Sequence, residues 1–255
     1  MLSESDKYLL EIVQKYKLPD QIDFYTSEYV VKPLKSMVSA WANQYLVDIK
    51  LSGSMAKGDA TILSSDLDLF ISLSSTTPCT LQEIYESLYD YVSTRGISSR
   101  KQNVSIGVTY KSKKIDLVPA KRWDSRSNDH SLYKRKQDSW TKTNIDVHIN
   151  DVKRSSRVTE IIALKIWKEL HKLEFPSIYL EKFVLDALSG RNRYDYANNF
   201  VYLLTDIADN FESRRVIDSA NTANILSDDL TVAEKRKIAQ QAMIDLTKRW
   251  NQVIW

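Results

Sequence analysis

The residues best suited to chemistry are two aspartates one residue apart, Asp66 and Asp68. They open a run, residues 66–73, whose composition is typical of a β-strand. Because successive side chains of a strand point to opposite faces, we expect both carboxylates on one face and Leu67 in the core. Adjacent carboxylates repel each other unless a cation lies between them, and hard oxygen ligands suit Mg²⁺ or Mn²⁺. The spacing therefore predicts a divalent-metal site.

A Gly-Ser pair precedes these aspartates. Gly53 permits a close approach of the backbone and Ser54 offers a hydroxyl, and a phosphate group can use both. The segment before the pair, residues 46–52, is also typical of a strand. A strand, a Gly-Ser turn and a second strand with two acids predict a site for metal and phosphate. An Asp-Leu-Asp triplet by itself is more often a solvated strand end than a metal site.

A third carboxylate is needed for phosphoryl transfer with two metals. One cation holds the triphosphate while the other lowers the pKa of the attacking hydroxyl, and two aspartates are too few ligands for both. Asp116 interrupts an apolar strand-like segment, residues 114–118, and is the strongest candidate. We predict Asp66, Asp68 and Asp116 as the catalytic and metal-binding residues, with two Mg²⁺ or Mn²⁺ ions per site.

The composition is that of an ordinary globular protein of one large or two small domains, with 255 residues, 43% hydrophobic and 27% charged. No run of about 18 apolar residues and no signal-peptide pattern is present, so we expect a cytoplasmic protein with no membrane partner. Cys79 is the only cysteine, which excludes an intrachain disulfide and a thiolate zinc cluster. The histidines are scattered and indicate no Ser-His-Asp arrangement: His130, His148 and His171.

Positive charge is modest overall and concentrated near the middle of the chain. The formal net charge is +3, which suits anionic ligands without requiring a long nucleic acid. Basic residues cluster in segments 111–122 and 134–136. Either cluster is a solvated surface or helps to screen a triphosphate, and the sequence leaves both readings open.

The pattern of apolar residues changes near residue 150. Before it, the order is helix, helix, strand, strand, helix, strand, strand, with the last two strands joined as a hairpin through residues 111–113. After it, the pattern is helical to the end. We therefore predict an α+β fold with a mixed sheet covered by helices on one face, plus an α-helical C-terminal domain. The predicted domains are residues 1–150 and 151–255, with a linker near residues 141–151.

These features resemble those of a known superfamily. The polymerase-beta-like nucleotidyltransferases carry Gly-Ser, a short spacer, Asp-x-Asp and a distal acid, which match Gly53-Ser54, Lys57-Gly58, Ser65-Asp66-Leu67-Asp68 and Asp116. Residues 161–168 and 175–181 look like the helix and Leu-Glu stretch of CD-NTases, bacterial relatives of cyclic GMP-AMP synthase and oligoadenylate synthetase. Residues 217–225 resemble a C-terminal stretch of that family, with Ser219 in place of its usual proline. The likeness covers about residues 45–245.

The resemblance implies an enzyme that joins NTPs into a cyclic or linear oligonucleotide second messenger and releases pyrophosphate. It also implies a role in bacterial antiphage (CBASS) signalling, through a downstream effector that binds the product. A monomer satisfies this expectation, and no long nucleic acid is required. The implied nucleotide-binding residues are Gly53, Ser54, Lys57, Lys165, Ser177 and Tyr179. Of these, Tyr179 would stack on the donor base, although an aromatic residue at its spacing is also typical of a core.

Other readings of the same pattern stay open. Archaeal-type CCA-adding enzymes share it but carry further RNA-binding domains, and aminoglycoside nucleotidyltransferases share it at a similar length. A nucleotide-binding module with a decayed site is a third possibility. All three predicted acids are present, which counts against decay.

Overall fold

The computed structural model describes residues 2–64 and 66–255, so Ser65 of the predicted acid motif lies outside the described residues. The described chain forms two compact units that alternate along the sequence. One, here called the sheet unit, comprises residues 19–57 and 66–149. The other, the helical unit, comprises residues 2–18, 58–64 and 150–255. The short segment 58–64 therefore packs with the helical unit although its sequence neighbours belong to the sheet unit.

The sheet unit is built on a mixed sheet. Its described strands are β1 (Leu46–Ser52), β2 (Leu67–Leu73), β3 (Ser98–Lys101), β4 (Ile106–Tyr110), β5 (Lys113–Arg122), β6 (His130–Lys134) and β7 (Ser139–Thr143). Hydrogen bonds order them β1-β2-β5-β4-β3, with β6 paired to β5 and β7 paired to β6. β2 and β5 run parallel, and the other described pairs are antiparallel. The predicted mixed sheet is confirmed.

Helices complete both units. Their bounds are α1 (Glu4–Tyr16), α2 (Lys32–Ala42), α3 (Gly53–Lys57), α4 (Leu81–Ser93), α5 (Ile145–Ser155), α6 (Val158–Leu170), α7 (Ser177–Ala187), α8 (Tyr196–Asn210), α9 (Val232–Asp245) and α10 (Trp250–Val253). A short hairpin of β8 (Ile217–Asp218) and β9 (Asn221–Ile225) follows α8 in the helical unit. None of the helices described here combines the length and apolar character needed to span a bilayer.

Helices α2 and α4 pack against the sheet and form the core of the sheet unit. Val38 of α2 and Leu88 of α4 are fully buried in one cluster with Ile71 of β2. The start of α4 is fixed by a capping box: Thr80 Oγ1 accepts from the Glu83 amide, and the Thr80 amide donates to Glu83 Oε2 at 2.7 Å. Burial of this apolar face holds α4 on the strands that carry the acids.

A two-residue turn sets the register of β4 and β5. Tyr110 pairs with Lys113, and the residues between them, Lys111 and Ser112, have φ angles of 46° and 63°. Positive φ at both positions matches the right-handed twist of a hairpin. The predicted hairpin is confirmed, and its register pairs Asp116 with Gly107 of β4.

The helical unit includes the N-terminal helix. Leu9 and Val13 of α1 lie in one buried cluster with Trp167 of α6 and Phe200 of α8. The predicted division assigned residues 1–150 to the first domain, whereas α1 shares its core with helices of the second half. The apolar stripe of α1 indicates a buried face but carries no information about which surface covers it.

The predicted boundary near residues 141–151 agrees with the division of the units between Ile149 and Asn150, but the segment is not an irregular linker. The end of β7 and most of α5 occupy this segment. The strands β3 and β6 and the β8–β9 hairpin were also not predicted. These strands have five residues or fewer and are rich in polar side chains, so their alternation is too short and too weak to stand out.

Candidate active site

One row of residues crosses the sheet at the level of the predicted acids. The registers align residues from five neighbouring strands: Ser52, Asp68, Asp116, Gly107 and Arg100. Because aligned residues of neighbouring strands point to the same face, these residues share one face of the sheet. Two of the predicted acids, Asp68 and Asp116, are therefore direct neighbours.

Asp66 lies just before β2 and brings a third carboxylate to the same end of the sheet. Asp66 and Asp116 line one cavity of about 190 Å³. Burial raises the pKa of Asp116, and the charge of Asp66 raises it further, against a hydrogen bond from Ser105 that lowers it. A partly buried carboxyl with a raised pKa beside a second acid is typical of functional sites.

Gly53 accommodates the carboxylate of Asp68. Its φ angle is +61°, a conformation that favours glycine, and a Cβ at this position would collide with the Asp68 carboxylate. The backbone of the Gly-Ser turn thus lies directly against one of the acids. Ser54 and Lys57 follow on α3, where Ser54 is half-buried and Lys57 is buried. The predicted neighbourhood of turn and acid pair is present in the structure.

Two residues that the sequence analysis did not single out hold Asp116. Gln102 Nε2 donates to Asp116 Oδ1 at 2.9 Å, and Ser105 Oγ lies 3.1 Å from Asp116 Oδ2. Each carboxylate oxygen therefore has a partner that fixes its orientation. A sequence signal does exist, because Gly107 stands inside a strand, where glycine often marks a close approach. A Cβ at Gly107 would run into the side chains of Gln102 and Arg100.

The turn that carries Gln102 and Ser105 is itself fixed. The hydroxyl of Tyr85, a fully buried residue of α4, lies 2.8 Å from the Gln102 carbonyl oxygen and 3.0 Å from that of Ser105. The Gln102 amide donates to the Ser105 carbonyl at 3.0 Å, which closes the turn. The orientation of Asp116 is thereby linked to the packing of α4 on the sheet.

Two adjacent carboxylates supply part of the ligand set that a divalent cation needs. Within residues 2–64 and 66–255, no three Asp, Glu, His or Cys side chains are close enough, as they stand, to hold a metal ion. However, Asp68 and Asp116 are adjacent in register, and Gly53 leaves room where a side chain would press on Asp68. A carboxylate oxygen that accepts one hydrogen bond keeps a lone pair for a cation. Asp66, Asp68 and Asp116 are thus the residues that would hold Mg²⁺ or Mn²⁺.

Lys165 occupies a different environment from the predicted one. Its side chain is buried in the helical unit, where Nζ lies 2.7 Å from Asp59 Oδ2 and 2.7 Å from Glu181 Oε1. Burial opposes the charged form, but attraction to Glu181 and Asp59 outweighs it, and the pKa of Lys165 is raised. The ammonium thus neutralises two buried carboxylates, and its contact with phosphate stays a prediction.

The prediction that Tyr179 stacks on a donor base is contradicted. Tyr179 is fully buried and stacks on Phe211 within the helical core, with ring centroids 5.2 Å apart and planes 7° apart. Burial raises its pKa to about 12. Tyr179 therefore belongs to the core, which is the other role that its spacing in the sequence allowed. Ser177, two residues earlier, is exposed at the start of α7 and lines a cavity of about 520 Å³ with Lys168 and Lys172.

The described contacts of two histidines are structural. His130 is buried, with Nε2 at 2.8 Å from Ser72 Oγ. His171 Nε2 lies 2.8 Å from the carbonyl oxygen of Val253, close to the end of the chain. Neither forms part of the acid group on the sheet, in agreement with the absence of a Ser-His-Asp pattern in the sequence.

The geometry of the sheet unit defines a class of fold. A Gly-Ser segment leads from β1 towards β2, Asp66 lies just before β2 and Asp68 within it, and the parallel neighbour β5 carries Asp116, the order that the resemblance of the sequence predicts. No protein-family model matches the sequence, and no curated protein matches it either.

Solved structures match the fold over almost the whole chain. CD-NTase CdnG of Bradyrhizobium diazoefficiens, in complex with GTP, matches with a TM-score of 0.77 at 11% identity, covering 96% of this chain and 90% of that one. CdnE cyclic dinucleotide synthase of Elizabethkingia meningoseptica matches with 0.68 at 14% identity, covering 96% and 100%. The Cid1 poly(U) polymerase matches with 0.64 at 12% identity, covering 98% and 96%. The chain therefore has the fold of the CD-NTases, and the predicted resemblance is confirmed at that level.

Replacing Lys165 tests its structural role. We expect Lys165→Ala to lower the free energy of unfolding by about 3–5 kcal/mol, because two buried carboxylates lose the ammonium between them. Urea denaturation followed by circular dichroism measures the change. The exposed Lys237→Ala on α9 is the control and is expected to leave stability unchanged. A Lys165 variant with the stability of the parent protein would contradict the assignment.

Asp116→Asn is expected to raise the melting temperature of the metal-free protein at neutral pH by a few degrees. The raised pKa means that the charged carboxylate is disfavoured in the folded state at pH values above that pKa, and asparagine removes this cost. The gain is expected to vanish as the pH falls below the ordinary pKa of aspartate, where both states are protonated. Thermal melts from pH 3 to pH 7 test this, with the exposed Asp209→Asn as control. An equal or lower melting temperature at pH 7 would show that Asp116 stabilises the fold.

Proposed function

We propose that the protein is a metal-dependent nucleotidyltransferase that joins NTPs and releases pyrophosphate. The observation that carries the proposal is the adjacency of Asp68 and Asp116 on parallel strands, with Gly53 against one and Asp66 beside the other. Repulsion between these neighbouring carboxylates lowers the stability of the fold. A catalytic role explains why the fold nevertheless has them.

The reaction is an in-line attack of a ribose hydroxyl on an α-phosphate. The new bond joins the hydroxyl oxygen to the α-phosphorus, the bond to the β-phosphate oxygen breaks, and pyrophosphate leaves. When bound, two divalent cations would neutralise the triphosphate and lower the pKa of the attacking hydroxyl. Most of the catalysis comes from positioning and charge neutralisation.

Different residues are assigned to metal binding, to triphosphate binding and to activation of the acceptor hydroxyl. Asp66 and Asp68 would hold the metals beside Gly53, and the backbone there and the Ser54 hydroxyl would bind the donor triphosphate. Asp116 is held in orientation by hydrogen bonds and helps to activate the acceptor hydroxyl. The Asp116 carboxylate would take up the proton that leaves the acceptor hydroxyl as the new bond forms.

The product we favour is a short cyclic or linear oligonucleotide signal. The support is the shared fold with CdnE, described as a cyclic dinucleotide synthase, and with the CD-NTase CdnG, solved with GTP. We place the activity in bacterial antiphage signalling in the cytoplasm, with a downstream effector that binds the product. The same fold in the Cid1 poly(U) polymerase makes nucleotide addition to RNA the second candidate.

Incubation of the purified protein with labelled NTPs and Mg²⁺ or Mn²⁺ tests the proposal. We expect pyrophosphate release and a phosphatase-resistant product with at least one pair of nucleotides. Product that forms only with added RNA would favour the second candidate, and product that requires tRNA or an aminoglycoside would indicate those enzyme classes. No pyrophosphate under any condition would reject the enzymatic function.

The double variant Asp66→Asn, Asp68→Asn is expected to abolish product, because neutral amides bind these cations far less well than carboxylates. Pyrophosphate release measures the loss, and circular dichroism confirms that the variant folds. Asp209→Asn, a matched change at an exposed position of α8, is expected to keep full activity. Activity retained in the double variant would place the site elsewhere.

Gln102→Leu and Ser105→Ala are expected to weaken both turnover and Mn²⁺ affinity by about 10–100-fold, because groups that orient a metal ligand have effects of this size. Calorimetric titration with Mn²⁺ alone gives the affinity, and steady-state kinetics separates kcat from the KM for NTP. The exposed Gln137→Leu serves as the control. A change in KM alone would mean that these residues contact nucleotide instead of orienting Asp116.

A further inference from the structure

Two tryptophans form a stacked pair on the surface of the sheet unit. Trp123 follows the end of β5 and Trp140 lies in β7, with ring centroids 5.6 Å apart and planes 30° apart. Each is 53% exposed, although indole is among the most costly side chains to leave in water. Among the described strands of this sheet, β7 pairs only with β6 and forms an edge. Exposed aromatic area of this kind, here called the tryptophan platform, is typical of a binding surface.

The platform lies in a strongly basic part of the chain. Residues 121–142 include seven lysines and arginines and three aspartates. Three of the cations, residues 134–136, lie at the end of β6 and in the turn that leads to β7 and Trp140. The surface thus presents positive charge next to the exposed indoles.

The aspartates of this segment are engaged within the protein. Asp124 accepts the backbone N–H groups of residues 126 and 127, and Asp129 pairs with Lys142 at 2.6 Å. Asp138 accepts the hydroxyl of Tyr133 at 2.6 Å. The seven cations of this segment exceed the three aspartates, so the platform carries a formal excess of positive charge and favours an anionic partner over a cationic one.

Lys142 shares the sheet face of Trp140, whereas Arg122 aligns with His130 and Thr143 and lies on the opposite face. Arg122 Nη2 donates to Asn128 Oδ1 at 3.0 Å, while its Nε is buried and has no hydrogen-bond partner among the described residues. Lys142 Nζ lies 5.9 Å from the centre of the Trp123 ring. A cation and an indole face therefore meet at one place on the surface.

We propose that the tryptophan platform binds single-stranded nucleic acid. Unpaired bases would stack on Trp123 and Trp140, while Arg126 and the cations at 134–136 would contact the phosphates. Stacking platforms flanked by positive charge are how proteins bind single strands without reading their sequence. In a duplex the base faces are stacked on each other and cannot reach the indoles, so single strands are the favoured form. This site requires no NTP and is independent of the proposed nucleotidyl transfer.

Fluorescence anisotropy with labelled dodecamers of single-stranded RNA, single-stranded DNA and duplex RNA tests the proposal. We expect single strands to bind more tightly than the duplex, with affinity falling as salt increases from 50 to 200 mM. Trp123→Ala and Trp140→Ala are each expected to weaken binding by roughly tenfold, the size of a lost base stack. Trp123→Tyr, which keeps an aromatic face, is expected to retain most of the affinity.

Matched variants show whether binding depends on the tryptophan platform itself. Trp255→Ala removes another exposed indole, 43% exposed in the helical unit, and is expected to leave binding unchanged. The double variant Asp66→Asn, Asp68→Asn is expected to bind single strands normally, so failure of nucleotidyl transfer and failure of strand binding are distinguishable. Binding that is equal for duplex and single strand, or insensitive to both tryptophan changes, would overturn the proposal. Tryptophan-dependent binding of an acidic peptide with no binding of RNA or DNA would overturn it in favour of a protein partner.

Discussion

The parallel pairing of β2 with β5 is the constraint on which the candidate site depends. In register, it places Asp68 beside Asp116 and brings like charges together at one end of the sheet. The surrounding residues accommodate this arrangement. Gly53 gives the Asp68 carboxylate room, while Gln102 and Ser105 donate to the two oxygens of Asp116. Without the parallel pair, Asp68 and Asp116 would not be neighbours, and these contacts would not form around an acid group.

The support for this arrangement extends into the packing of the sheet unit. The buried side chain of Tyr85 on α4 is hydrogen-bonded to the turn that holds Asp116. The packing of α4 on the sheet therefore also fixes the orientation of the Asp116 carboxylate. In the helical unit, Lys165 performs a comparable task for Asp59 and Glu181. Asp59 belongs to the segment between the Gly-Ser turn and the acid pair, and its ion pair anchors that segment in the helical unit.

Aromatic residues show why residue type alone does not assign a role. Tyr179 stands in a segment that resembles a nucleotide-binding motif, yet it stacks on Phe211 in the core. Trp123 and Trp140 stand in segments without any recognised motif, yet they stack on the surface beside positive charge. The difference lies in what covers each ring, and neighbours distant in sequence decide that.

The sequence by itself determined the local features of this protein. The spacing of Asp66 and Asp68, the Gly-Ser turn and the capping box at Thr80 depend on residues close together in the chain, so their patterns are readable. Tertiary structure decided which distant residues meet: Gln102 and Ser105 with Asp116, Lys165 with Asp59 and Glu181, and α1 with the helical core. Periodicity shows that a face is buried or a strand is paired, but it does not name the partner. That choice follows from packing and register over the whole chain.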